Sequence, residues 1–163
     1  VNDLAFVRML HVLGVVLWIG GVAFVTLVLL PGLRDLCEAQ RSTEPFDAFE
    51  TFERRFATQA RYSTQLTGLT GFYMVWRLDL WSRFADPAYW WMHAMVLLYL
   101  IFTVMLFALE PFVLRRRPER RAVHDTIDTQ RTVLRMHRVL LTASLITIAG
   151  AVAGSHGWLI WRG

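Results

Sequence analysis

Four stretches of the chain run long without the recurring polar positions of a surface element: residues 4–30, 62–80, 89–114 and 139–161. Each approaches the roughly 20 mostly apolar residues that a helix needs to cross a bilayer. The first ends at Pro31 and Gly32, a pair that stops a helix and turns the chain. The second is the least apolar. Its Ser63, Thr67, Gly68, Thr70 and Gly71 suit close helix packing better than contact with lipid. The third follows Asp86-Pro87, with proline in the favoured first turn, and its inner end near Glu110 and Pro111 reaches the interface. The fourth carries Gly150 and Gly154 in small-xxx-small spacing. The pattern predicts an all-α, integral membrane four-helix up-down bundle, with residues 1–163 forming a single transmembrane domain.

The polar connections refine this picture. Both longer ones, between spans one and two and between spans three and four, read as partly helical. In the former Phe46, Phe49, Phe52 and Phe56 recur three or four apart, which makes one apolar face. The first span is too long for a signal peptide, lacks a basic front end and shows no clear cleavage site, so it is expected to stay in the mature protein. Trp18, Trp76, Trp81, Trp90, Trp91, Trp158 and Trp161 mostly fall near span ends, as an interfacial aromatic belt would place them.

Composition agrees with the pattern. Of the 163 residues, 55% are hydrophobic and the mean hydropathy is +0.40, too apolar for an ordinary soluble domain. The net charge of +4 rests entirely on arginine, since the chain has no lysine. Basic loops beside apolar spans point to a lipid bilayer as partner and not to nucleic acid. Most of the arginines lie in the two long connections, which places those connections in the cytoplasm and both termini outside, the arrangement expected in a bacterial inner membrane. The single cysteine, Cys37, excludes an internal disulfide and a thiolate cluster.

Histidine inside an apolar span calls for a partner, because ionisable groups are costly at that depth. His11 lies about seven residues into span one and His93 about six residues beyond Pro87, entering from the same side. At about 1.5 Å per residue both sit roughly 10 Å below one surface, on helices that are diagonal in an up-down bundle. Two imidazoles so placed are candidate axial ligands of a haem b. His11, Gly14, Trp18 and Gly21 share one helical face. Gly14, together with Thr67, Gly68 and Gly71 on span two, would let a large ring approach the backbone. Arg8 and Arg77 are candidate partners for haem propionates.

Each of these residues also has a plainer reading. A lone histidine can serve as an interhelical hydrogen-bonding group, glycines as packing positions, and Arg8 or Arg77 as a snorkelling side chain. His156 at the outer end of span four is either a further ligand or an interfacial histidine. His137, with Tyr62 and Gln65, could border a quinone or a second haem pocket on the opposite side, or simply pack there. His124 lies in a polar loop, and Arg115–Arg121 read as a topology and headgroup determinant.

The order of "LHVLGVVLWIGG", "FERRFATQARYSTQLTG", "WWMHAMVLLYLIF" and "RMHRVLLTASLITIAGAV" along the chain resembles the four-helix membrane proteins of the HemJ-type protoporphyrinogen oxidase and CopD-like superfamily. The resemblance covers nearly the whole chain. It rests on the span-one His11 followed by Trp18 and glycine, on Glu53-Arg54-Arg55, and on Trp91 to Ala94. It implies haem b held at His11 and His93, and either protoporphyrinogen oxidation or copper handling. One position departs: the HemJ type usually reads His-Ala-Lys in span three, where this chain has Met95. The leading expectation is therefore a cytochrome b that transfers electrons, with quinone or a redox protein as partner. Bis-histidine ligation leaves no open iron position, which suits electron transfer. The alternatives are copper transport or resistance, which Met9, Met92 and Met95 near the histidines keep open, and protoporphyrinogen oxidation.

Overall fold

The computed structural model describes the backbone of residues 2–40, 44–109 and 123–158. Among them there is no strand, and four long helical stretches make up the fold. The first is α1 (Asn2–Phe24), a π-helical turn (Val25–Leu29) and α2 (Leu30–Gln40) in unbroken succession. The second is α3 (Glu44–Arg77), the third α4 (Trp90–Val104) with a π-helical turn (Met105–Leu109), and the fourth α5 (Val123–Ser155). Three stretches are long and apolar enough to cross a membrane: Asp3–Leu36, Pro87–Ala108 and Arg131–Ser155. The protein is an integral membrane protein, with α3 as the polar member of its bundle.

The first helix does not stop at Pro31-Gly32, contrary to the sequence expectation. Its π-helical turn ends one residue before the proline is reached, at Leu29, and the Leu30 N–H reaches back five residues to the Val25 carbonyl. A π turn widens the backbone and shifts its bonding register, which relieves the clash a proline ring makes in a regular helix. The helix therefore continues to Gln40. The other span ends shift as well. α3 begins at Glu44, well before residue 62, and finishes at Arg77. Its end is a Schellman closure: Leu80 N–H bonds to Val75 O at 3.0 Å and Asp79 N–H to Trp76 O at 3.4 Å, with Asp79 at φ 50°. α5 starts at Val123 and ends at Ser155 by the same device, with Gly157 at φ 86° and Trp158 N–H on Ala153 O at 3.1 Å. Trp161 lies outside the described residues, as do Pro111 and Arg115–Arg121.

The entry to α4 follows the expected signal. The Asp86 carboxylate accepts from Ala88 N–H at 2.8 Å, Pro87 opens a 3-10 turn (Pro87–Tyr89), and α4 begins at Trp90.

Packing register fixes the topology. Gly14 of α1 faces Ser63 and Thr67 of α3, while Gly21 faces Phe56. Gly68 faces Tyr99 of α4, and Arg61 Nε donates to Leu106 O, in the second π turn, at 3.1 Å. Both pairs therefore run antiparallel. Trp90 and Trp91 seat on Gly150 and Gly154 of α5, and Leu98 and Phe102 share a core with Leu141. That leaves α1 and α4 as the parallel diagonal of an up-down-up-down bundle. They meet at its centre, where Trp18 and Phe102 stack edge to face with centroids 5.0 Å apart. Trp18 is thus a core residue, 5% exposed, and not part of an interfacial belt. Trp76, Trp81 and Trp158, in contrast, are exposed.

The Gly154→Ala substitution would drive a methyl group into the buried Trp91 ring, so we expect it to lower bundle stability by about 1–3 kcal/mol. Gly20→Ala meets nothing within 4 Å and should leave stability unchanged or slightly raised. Thermal unfolding of both variants in detergent checks the contrast.

Candidate functional site

His11 is the residue around which a site is built. α1 presents it to α3 at the level where α3 carries Thr67, Thr70 and Gly71. Its Nδ1 lies 3.0 Å from Thr67 O and 3.1 Å from Thr70 Oγ1. Thr70 Oγ1 in turn lies 2.6 Å from Leu66 O and 3.1 Å from Thr67 O, carbonyls to which its only hydrogen can go. A carbonyl and a hydroxyl whose proton is already committed can only accept from the imidazole. The bonds therefore place a proton on Nδ1 of His11, and in the neutral ring the Nε2 lone pair is then uncommitted. Gly71 makes the approach possible, because a Cβ there would stand 3.2 Å from His11 Cε1. A histidine held through Nδ1–H by a backbone carbonyl is the usual arrangement of a metal-ligating imidazole.

His93 is placed differently. Its Nε2 is 3.0 Å from Phe84 O and its ring meets the Phe84 ring edge to face at 5.4 Å. The side chain is exposed, on the outward stripe of α4 that also carries Val96, Leu97, Leu100 and Val104. The buried stripe of the same helix is Trp91, Leu98 and Phe102. His11 is held at the α1–α3 interface while His93 faces away from the core, so the structure does not bring the two together. His11 alone fits an iron ligand. As placed, the two do not fit a haem-ligating pair, since the Nε2 of His93 is spent on Phe84.

The small residues chosen as neighbours of a large ring are occupied by the protein's own side chains. A Cβ on Gly14 would lie 2.5 Å from Thr67 Oγ1, Gly68 is covered by the Tyr99 ring, and Gly71 by His11. Thr67 Oγ1 bonds Ser63 O at 2.8 Å. Of the two arginines, Arg8 is exposed, while Arg77 Nε lies 3.6 Å from Asp3 Oδ2, which also accepts from Tyr73 OH at 3.0 Å. This group ties the start of α1 to the end of α3.

The remaining histidines stay on their own helices. His137 Nδ1 is 2.9 Å from Val133 O and His156 Nδ1 is 2.8 Å from Val152 O. Tyr62 is exposed, and Gln65 accepts from Tyr99 OH at 3.0 Å, so neither gathers around His137. The side chains of Cys37, Glu53, Arg54 and His124 lie outside the described residues. No group of three or more His, Cys, Asp or Glu able to hold a metal occurs among the described residues. Sequence reasoning passed over Thr70 as a residue that orients the His11 ring. Its signal was present, since His11 and Thr70 fall at the same depth on adjacent antiparallel spans.

No family model matches the chain, and neither a curated protein nor a solved structure matches it.

The hydrogen-bond pattern makes a direct forecast for 15N-labelled protein. Neutral His11, His137 and His156 should show protonated Nδ1 and bare Nε2, and His93 the reverse, in nitrogen chemical shifts from solid-state NMR.

Proposed function

We propose that this is a membrane-embedded haem b protein that carries out electron transfer, with His11 as the side chain that would hold the iron and with quinone or a redox protein as its exchange partner. The observation that carries the reading is the locked imidazole of His11, whose Nδ1–H is fixed on Thr67 O and Thr70 Oγ1. Neutral imidazole with one nitrogen anchored presents the other at a fixed angle, and the anchoring carbonyl raises its basicity. The order of the span motifs, similar to that of the HemJ-type and CopD-like proteins, supports the same reading.

A bound haem b would supply one-electron chemistry. The chain itself supplies orientation. Thr70 holds the ring in plane with Thr67, and Gly71 keeps α3 close enough for both bonds to form. His93 has no part in this reading, because it caps the turn before α4 through Phe84. The distribution of arginine supports an orientation with the two long connections in the cytoplasm and both termini on the outer side.

The test is the visible spectrum of the purified protein, oxidised and dithionite-reduced, with a pyridine haemochrome assay and metal analysis. We expect haem b in the wild type, its loss in His11→Ala and its retention in His93→Ala. Thr70→Val should weaken haem retention by about 10-fold without removing it. A colourless protein that binds copper through His11 would transfer the site to copper handling. Formation of protoporphyrin from protoporphyrinogen would make the protein an oxidase of that substrate.

A further inference from the structure

Buried hydroxyls in this bundle follow a rule. Thr26, Ser63, Thr67, Thr70, Ser144 and Thr147 each donate to the carbonyl four residues earlier, at 2.6 to 3.0 Å. Such back-bonding is how a helix satisfies a hydroxyl that cannot reach water. Two threonines break the rule. Thr64 Oγ1 and Thr103 Oγ1 are buried with no hydrogen-bond partner, and the Trp18 indole Nε1 joins them. Thr64 is 0% exposed and Trp18 5%.

The three belong to three helices and lie within about one helical turn of one another along the bundle. On α3, Thr64 lies between Arg61, which bonds Leu106 O, and Gln65, which bonds Tyr99 OH. Those two contacts bracket Thr103 on α4, which shares the α3-facing stripe with Tyr99 and Leu106. The ring of Phe102, next in chain to Thr103, packs on Trp18 of α1. On α3 the same level is fixed independently, since Gln59 Nε2 donates to Leu17 O at 3.3 Å and Gly14 faces Thr67. Trp18 is seven residues deeper than His11, about 10 Å along the helix.

We propose that Trp18, Thr64 and Thr103 hold one water molecule at the centre of the bundle, in the layer where α1, α3 and α4 converge. The donor and acceptor balance suits water. The indole N–H can only donate, while each hydroxyl can donate and accept, so a molecule offering two hydrogens and two lone pairs can serve all three. Buried waters typically make about three bonds to groups that would otherwise be unpaired. Trp18 belongs to the same buried apolar cluster as Leu98, Phe102 and Leu141. The site is independent of the iron-binding reading, and it would add a shared polar centre to the helix-to-helix bonds that Gln59, Arg61 and Tyr99 already make.

Isosteric replacement separates the possibilities in the full-length protein in detergent. If the water is present, Thr64→Val and Thr103→Val each remove one of its partners, and each should lower the thermal midpoint by about 2–4 °C. The double variant should fall by less than the two losses together, because both act on one molecule. An unchanged or raised midpoint in either single variant would overturn the proposal, since deleting an orphaned hydroxyl is neutral or favourable. A high-resolution structure in lipid gives the second arm. A single water within hydrogen-bond reach of at least two of the three atoms is expected. Ordered side chains with no density between them, or density of a larger molecule, would sink the idea.

Discussion

Lipid tails are as apolar as leucine, so helices inside a bilayer gain little from hiding apolar surface against one another and must hold together by close fit. In this bundle the fit takes one recurrent form: a ring packed against a glycine of the neighbouring helix. Phe56 covers Gly21, His11 covers Gly71, Tyr99 covers Gly68, and Trp90 and Trp91 cover Gly150 and Gly154. Every antiparallel neighbour pair from α1/α3 through α4/α5 is seated this way. The depth of each ring in its neighbour sets the helix register, and the register sets which polar groups meet. The placement of His11 beside Thr67 and Thr70 is one outcome of that packing.

The polarity of α3 is a second consequence. Its hydroxyls would be costly in lipid, yet Ser63, Thr64, Thr67 and Thr70 are all buried against the rest of the bundle. Most spend their hydrogen inside their own helix and so cost little. α3 can then cross the membrane region despite its composition, provided that α1 and α4 cover it. It is the helix least able to stand alone and the one that supplies the partners of His11.

Three of the four helices were legible from apolar length alone, and the fourth from its small and hydroxylated residues. The depth of His11 was legible too. What sequence could not reveal was azimuth. α4 is apolar all round, so nothing distinguished the stripe of Trp91, Leu98 and Phe102 from the stripe of Val96, Leu97 and Leu100. His93 was therefore matched to His11 by depth although it faces the other way. The glycines were read as room for a foreign ring, whereas the rings that fill them come from neighbouring helices more than 25 residues away in sequence. The π turn that carries the first helix past Pro31 has no local sequence mark, because it replaces one register of carbonyl bonding by another without a special residue.

That uninterrupted first helix has a mechanical consequence. From Asn2 to Gln40 it extends roughly 58 Å at about 1.5 Å per residue, while the hydrocarbon core is about 30 Å thick. The excess of roughly 28 Å extends through the headgroup regions and beyond them as one continuous helical rod. The N-terminal part of α3, which begins at Glu44, starts beside the rod's far end. A tilt imposed on that rod outside the bilayer would act through the π turn as through a lever's fulcrum and would slide α1 against α3, the interface that carries His11.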